Sequence, residues 1–328
     1  MRQSPLGSAS VVGGTVLLAC WALAGCATRL EAQVEQYQQQ ERRDRDALIA
    51  RGTPDSLAVA SLVMDPPRQD SFVMPAEITQ AVAAAPERPD LAWLQYTLCR
   101  RAQCVDRPAI EQRLQAVDPG NAWFWVPDLE QALRGNDPDD VTAAVGRVAA
   151  AERMTTYWNA LTVLVTDELG YARGATRPGD GGHALGERYV EAIGLLAATM
   201  TPLQPLGKAC RADALNEPGR RQACQALVTR LATADEFITR SAGISLQERW
   251  PTDDPDTRAR LADQRRQLDY VLLESSRPRW FNNADVALRL ETARHTSSEL
   301  AVMRAVLATH HEPLDRPPHW TSPWPTHE

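Results

Sequence analysis

The sequence predicts an all-α fold built from helical hairpins, and three observations lead to this prediction. Apolar residues recur with the period of about 3.6 residues that marks one face of an α-helix. Asp-Pro pairs stand repeatedly where such stretches begin, and the apolar/polar alternation typical of strands is nearly absent. The chain has 328 residues, 44% of them hydrophobic and 23% charged, so it can bury a sizeable core.

The first 25 residues have the pattern of a targeting segment. Arg2 supplies a positive charge, and Val11 to Ala24 form a mainly apolar run of 14 residues. Such a run is too short to span a bilayer and has the length of the apolar part of a signal peptide. It ends in Leu23-Ala24-Gly25-Cys26, which resembles the lipobox of bacterial lipoproteins.

This resemblance implies a lipid anchor at Cys26. In that family the cysteine thiol is acylated, the chain is cut before the cysteine, and the new amino terminus is acylated as well. The residue after the cysteine, Ala27, is not Asp, which by the same resemblance implies the outer membrane. We therefore expect a tethered protein whose chain lies mostly in the periplasm. The alternative is an ordinary secretory signal with a coincidental cysteine.

The segment that follows predicts a tether. Residues 29–50 are polar, rich in Gln and free of Pro and Gly, and Gly52 ends the stretch. We expect an exposed helix or a mobile helical tether there, and a loop over residues 65–75.

Two short motifs, each opening a predicted helical hairpin, lie 30 residues apart: Asp90-Leu91-Ala92-Trp93-Leu94 and Gly120-Asn121-Ala122-Trp123-Phe124. The unit at 121–151 resembles a tetratricopeptide-type hairpin, with an early Trp, a turn containing Gly and a second helix rich in Ala and Val. It departs from the family at Pro127, where Gly is expected. The resemblance covers about residues 88–151 and implies hairpins stacked in a TPR-like or irregular α-solenoid array.

The second half predicts further helices after the Gly-rich stretch 170–183, taken as a loop or domain boundary. These helices are expected near 184–200, 220–248, 256–275, 284–294 and 297–310. Asp118, Asp137 and Asp254, each before a proline, predict N-caps, as do Asp106 and the capping-box pattern from Thr296 to Glu299. The predicted organisation is a signal peptide (1–25), a tether with an N-terminal helical segment (26–75), TPR-like hairpins (76–170), a C-terminal helical region (184–312) and a Pro/Trp-rich tail (313–328).

Four cysteines remain after the discarded Cys20 and the lipidated Cys26, an even number suited to an oxidising compartment. Of the three possible connectivities, Cys99–Cys104 with Cys210–Cys224 is favoured because each pair is close in sequence. Five residues of straight helix would leave the first pair about 140° apart, so a helix must end between them. The C-x2-C spacing of a metal site is absent.

Two constellations are weak candidates for chemistry. His183 and Glu187 lie four residues apart beside the Gly-rich stretch and could serve as base and acid; alternatively, Glu187 complements a helix dipole. Glu291, His295 and Glu299 are also spaced by four and could bind a divalent metal. If Thr296 is an N-cap, however, the helix breaks and His295 instead lies at a helix C-terminus.

The tryptophans are the candidate binding residues. Trp123 and Trp125 would lie about 200° apart on one helix, so they cannot both face one core layer. Either the helix is sandwiched between neighbouring helices, or one of the two rings lines an exposed groove. Trp320 and Trp324, among prolines, either dock on the protein's own surface or are offered to a partner.

The function class that these patterns favour is a protein-binding or scaffold lipoprotein with a cell-envelope partner. The net charge of −7 excludes the basic excess typical of nucleic-acid binders, and the common catalytic and nucleotide-binding motifs are missing, so no cofactor is expected. Two alternatives stay open: an envelope hydrolase with a site near His183 and Glu187, and a structural lipoprotein with no dedicated ligand.

Overall fold

The described part of the chain is all-helical, as predicted. A computed structural model describes residues 12–63, 73–101, 104–174, 185–197, 199–200, 203–252, 254–277 and 281–323, with side chains from residue 32 onward. These ranges hold 15 α-helices, two 3₁₀ helices and no strand. The α-helices are α1 Val12–Arg51, α2 Pro54–Ala60, α3 Ala76–Ala84, α4 Pro89–Arg101, α5 Arg107–Val117, α6 Val126–Gly135, α7 Pro138–Ala150, α8 Trp158–Ala172, α9 Leu185–Ala197, α10 Gln204–Ala209, α11 Arg220–Ala232, α12 Phe237–Glu248, α13 Pro255–Ser275, α14 Asn283–His295 and α15 Glu299–Thr309.

The predicted helix starts are confirmed at two of the aspartates. Asp137 accepts hydrogen bonds from the amides of Asp139 and Asp140, and Asp254 caps α13 in the same way. Asp118 instead ends α5, and the residue before α5, Asp106, makes no side-chain cap bond. The N-cap prediction for Thr296 is wrong by two residues, since Ser298 caps α15 by accepting from the amide of Ala301.

The predicted helix 220–248 is two helices, α11 and α12, joined by a turn at 233–236. They pack side by side at Gly243, where an added Cβ would lie 2.2 Å from the backbone nitrogen of Ala232. Because the chain turns back after Ala232, the apolar faces of both helices are buried against each other. A single long helix could not make this contact.

Consecutive helices pack against one another through most of the fold. The pairs are α2 with α3, α4 with α5, α6 with α7, α8 with α9, α11 with α12 and α14 with α15. One cluster of buried apolar residues runs from Leu48 in α1 to Leu246 in α12, and so includes residues on both sides of 170–183. A second cluster joins α12, α13 and α15.

The last turns of α1 are buried in the body rather than exposed as a tether. Arg173, with only 6% of its side chain exposed, donates to Asp44 at 2.7 Å and to Glu191 at 2.7 Å. Arg51 binds both carboxylate oxygens of Glu168 at 2.8 Å. The expectation of an exposed helix over 29–50 is therefore wrong for the C-terminal part of this segment, which ion pairs attach to α8 and α9.

Both expected disulfides are present, joining Cys99 to Cys104 and Cys210 to Cys224. Helix α4 ends at Arg101, between the first two cysteines, as the angular argument requires. No helix in the described ranges combines the length and the apolar character needed to cross a bilayer.

We expect Gly243→Ala to lower the free energy of unfolding by about 1–3 kcal/mol, because the new methyl group would force α11 and α12 apart. Urea denaturation measures the change. The matched control is Gly146→Ala inside α7, where nothing lies within 4 Å of an added Cβ; it should gain up to about 1 kcal/mol from helix propensity. Equal effects at both positions would contradict the close approach.

Candidate functional site

A non-helical segment between α7 and α8, residues 151–157, is held beside the start of the first 3₁₀ helix, Ala122–Trp125. The amide of Ala122 donates to the carbonyl of Arg153 at 2.8 Å, and the amide of Arg153 donates to the carbonyl of Gly120 at 3.1 Å. This parallel bridge satisfies backbone groups that have no helical partner.

Two fully buried polar residues complete the support of this segment. Asn121 donates to the carbonyl of Thr155 at 2.8 Å and accepts from its amide at 3.2 Å. Asp118, 4% exposed, accepts from the Arg153 guanidinium and from the Tyr157 hydroxyl. Burial, together with the hydrogen bond to Asp118, raises the pKa of Tyr157, so the hydroxyl keeps its proton for this bond.

The 3₁₀ helix separates the two tryptophans that the sequence predicted to share one α-helix. With about 120° per residue, Trp123 and Trp125 lie about 240° apart, which is about 120° the shorter way round, so the two rings still face different directions. Trp123 is buried, with its ring centroid 6.3 Å from that of Trp93. Trp125 is half-buried, and its indole N–H donates to the carbonyl of Pro119 at 2.9 Å.

Glu236, in the turn before α12, holds the other side of the segment. One of its oxygens accepts from the amide of Thr156 at 2.6 Å and from the hydroxyls of Thr155 and Thr156 at 2.9 and 3.0 Å. The other accepts from the Thr239 hydroxyl at 3.1 Å. Glu236 is 4% exposed; burial raises its pKa, and the hydrogen bonds oppose part of that rise.

A second carboxylate, Glu299, lies close to Glu236 at the first residue of α15. Its Oε2 accepts from the amide of Phe237 at 2.8 Å, and the amide of Leu300 donates to the carbonyl of Asp235 at 3.1 Å. Burial raises the pKa of the Glu299 carboxyl to about 7, the Phe237 amide opposes that rise, and the charge of Glu236 adds to it. Glu299 therefore changes charge near neutral pH.

Trp123, Thr156, Glu236 and Glu299 line one cavity of about 60 Å³. Its walls are three tryptophans, apolar side chains from α8, α9 and α12, three threonines and the two glutamates. The lining residues are Trp93, Trp123, Thr156, Trp158, Leu161, Leu196, Thr199, Met200, Leu203, Glu236, Ile238, Thr239 and Glu299. An apolar lining with a few converging polar groups and a carboxyl of shifted pKa is found in small-molecule sites, most of which are several times larger than this cavity.

Comparison with known proteins finds no family model that matches the chain, no similar curated protein and no matching solved structure. The chemistry available at the cavity therefore follows from its own residues.

The structure does not bring the three predicted metal ligands together. Glu291 and His295 form an exposed pair at 3.0 Å near the end of α14, whereas Glu299 begins α15 and binds the Phe237 amide. The helix breaks between them, as the alternative prediction required, and the described residues contain no group of three metal-ligating side chains.

The remaining predicted residues lie away from the cavity or beyond the described ranges. Glu187 is exposed in the first turn of α9, and His183 and Trp324 lie outside the described residues. Trp320 docks on the protein itself: its ring meets Tyr270 edge-on at 5.5 Å, and its indole N–H donates to Glu274 at 3.1 Å.

The sequence reasoning missed Glu236 and the two threonines that bind it. Thr155 and Thr156 lie about 80 residues from Glu236 along the chain, and no spacing pattern links such distant residues. The available signal was a pair of adjacent hydroxyl residues in a gap between two helical patterns, where donors are free to bind a distant acceptor.

We expect Glu299→Gln to stabilise the protein increasingly as pH rises. With a folded-state pKa near 7 and about 4.3 in an unfolded chain, Glu299 ionises in the unfolded chain between these two pH values while it stays protonated in the folded protein, so the protein loses stability as pH rises through this interval. Gln does not titrate. The variant's free energy of unfolding, relative to wild type, should therefore increase by about 3 kcal/mol between pH 4.5 and pH 8.

Urea denaturation at the two pH values measures this difference. The control is Glu87→Gln, on the exposed turn before α4, where the difference between the two pH values should stay within about 0.5 kcal/mol. The same small difference for Glu299→Gln would contradict the raised pKa of Glu299.

Proposed function

We propose that this protein is a lipid-anchored component of a bacterial cell envelope, held at the outer membrane through Cys26, with its helical body in the periplasm. The observation that carries the proposal is Leu23-Ala24-Gly25-Cys26 at the end of the apolar run. The two disulfides support it independently, since such bonds persist in oxidising compartments and are rare in the reducing cytosol.

In this proposal α1 is the link between anchor and body. The residues from Cys26 to Arg51 correspond to about 39 Å of helix. Residues 32–37 of this helix are exposed, and the ion pairs of Asp44 and Arg51 bind its end to the body. A helix attached at one end only would hold the body at a distance from the membrane surface.

We further propose that the body is a protein-binding or scaffold module. A TPR-like or irregular α-solenoid stacking of the hairpins is part of this proposal, and the pairwise packing of consecutive helices supports it. Stacked hairpins offer extended surfaces to a partner because each hairpin buries only the faces turned to its neighbours.

We expect Cys26→Ser to abolish acylation and to release the protein from the membrane fraction, because serine has no thiol to form the thioether. Mass spectrometry of the mature amino terminus and membrane flotation measure the two effects. Cys20→Ser is the matched control, since it removes a cysteine from the same segment but leaves the lipobox intact. A Cys26→Ser protein that still floats with membranes would overturn the proposed anchor.

We expect cross-linking in intact cells to capture one or two envelope proteins in stoichiometric amounts, and the yield to fall in Cys26→Ser because the body no longer lies near the membrane. Quantitative mass spectrometry of the cross-linked species measures both. Cys20→Ser is the reference, because it should keep the anchor. If no partner is captured in the native membrane, the result would argue against the scaffold proposal but not against the proposed lipid anchor.

A further inference from the structure

The open groove between α10 and α12 is lined by positive charge without negative charge. Its volume is about 560 Å³, and its described lining residues include Lys208, Arg211 and Arg249 but no Asp or Glu. A second groove, which α10 shares with α6 and α7, also takes in Lys208 and Arg211, but four carboxylates line it as well. The chain has an excess of acidic residues, so a groove lined by cations alone is a local region of positive potential that attracts anions.

The two helices that form this groove run side by side in the same direction. Leu203, directly before α10, and Ile238, in the first turn of α12, both line the cavity of about 60 Å³. Beyond the other ends of the helices, the indole N–H of Trp250 donates to the carbonyl of Cys210 at 2.9 Å. The two helix beginnings therefore lie together, and so do the two helix ends.

This arrangement separates the charged residues of the groove from its most exposed apolar residues. Lys208 lies in the last turn of α10, and Arg249 directly follows α12. At the opposite end, Ile238 is 38% exposed, and so is Met200, which lines the cavity of about 60 Å³ together with Leu203 and Ile238. From Ile238 to Arg249 the groove follows about 16 Å of helix, close to half of the roughly 30 Å hydrocarbon core of a bilayer. A molecule that matches both ends has an anionic head and an aliphatic chain.

Two serines of α12 supply hydrogen-bond donors along the groove. Ser241 and Ser245 lie one turn apart and line the groove, and the hydroxyl oxygen of each accepts from the guanidinium of Arg265. Neither hydroxyl donates to a residue that the structure describes. Each therefore keeps its proton for an acceptor oxygen, and the guanidinium bound to the hydroxyl strengthens it as a donor.

The charge at the cationic end suits a carboxylate head. The side chains of Lys208 and Arg249 form no ion pair with any described residue, whereas Arg211 pairs with Asp213 at 2.9 Å. The last carbonyls of α12 carry about half a negative charge, which two full positive charges exceed. These carbonyls disfavour a doubly charged phosphate, while an arginine fork binds both oxygens of a carboxylate. Unpaired surface cations alone would not indicate a ligand, but here they continue into exposed apolar surface.

We propose that the groove between α10 and α12 binds a fatty acid. The carboxylate lies between Lys208 and Arg249, and the single alkyl chain follows the apolar floor of the groove towards Ile238. The volume of about 560 Å³ lies within the range of about 300–1,000 Å³ that is typical of small-molecule sites. The inference is independent of the lipid anchor and of the scaffold role, so neither proposal depends on the outcome for the other.

The first test is calorimetric titration of the full chain, reconstituted in phosphatidylcholine nanodiscs, with sodium octanoate; empty nanodiscs give the blank. Octylammonium chloride keeps the chain and reverses the charge, and sodium butanoate keeps the head and removes four methylene groups. We expect saturable binding of octanoate and at least about tenfold weaker binding of each analogue, since one lacks the charge complement and the other the buried methylenes. Equal affinity for octanoate and either analogue, or no saturable heat above the blank, overturns the proposal.

Octyl phosphate separates the two kinds of anionic head. At pH 8 its head is doubly charged, since the second pKa of a phosphate monoester is about 6, and we expect it to bind no more tightly than octanoate. Binding that is at least about tenfold tighter would identify a phosphate-headed lipid as the ligand and would overturn the fatty acid.

Two variants test the charged end. Lys208→Met and Arg249→Met keep most of the side-chain length and remove the charge, so each should weaken octanoate about three- to tenfold without weakening octylammonium. Arg221→Met is the matched control, because Arg221 is an exposed cation of α11 outside this groove; it should leave both affinities unchanged. Unchanged octanoate binding in the Lys208→Met/Arg249→Met double variant refutes the assigned carboxylate position.

Two further variants test the position of the chain. Ala242→Phe fills the floor of the groove and should weaken octanoate at least about tenfold, whereas Ala226→Phe on the exposed face of α11 should not. Ile238→Ser removes apolar surface with little change of packing and should weaken octanoate about three- to tenfold while butanoate is unchanged. Circular dichroism verifies that each variant is folded. A folded Ala242→Phe protein, or an Ile238→Ser protein, that binds octanoate like wild type excludes this groove as the site.

Discussion

The segment 151–157 is the constraint on which the cavity depends. It has no helix to satisfy its backbone, so its amides and carbonyls need partners from other parts of the chain. Asp118 and Asn121 supply them from one side and Glu236 from the other. The segment contributes Thr156 to the cavity that Trp123 also lines, and α8 begins directly after it with Trp158.

The charges of the protein are arranged in two contrasting ways. At the end of α1, Arg173 lies between Asp44 and Glu191, and each buried charge has an opposite partner. At the cavity, Glu299 lies near Glu236 instead, and the like charge adds to the effect of burial on its pKa. Two neighbouring carboxylates without a cation destabilise the fold locally. Such destabilising arrangements of charge are concentrated at functional sites.

The sequence predicted the elements of the fold that local signals determine. The caps at Asp137 and Asp254 and the break after His295 follow from residues within one or two turns. The split of 220–248 did not follow, because the apolar period continues through the turn at 233–236. Helix α11 ends at Ala232 and α12 packs back on it at Gly243, a tertiary contact that no local pattern reveals.

The site itself was only partly predictable, for the same reason. Trp123 was a candidate because it and Trp125 would lie on opposite sides of one helix, and Glu299 was a candidate for a metal site that the helix break excludes. Their meeting with Glu236 joins three regions of the chain, at 118–125, 233–239 and 298–300. Local patterns carry no information on such distant contacts.

Helix α8 connects the two regions that the structure singles out. Its first residue, Trp158, lines the cavity, and about 15–20 Å further along the helix Glu168 and Tyr171 contact the end of α1. The ring of Tyr171 lies 4.1 Å from the guanidinium of Arg51, the last residue of α1. One helix of 15 residues therefore carries contacts both to the cavity and to the end of α1.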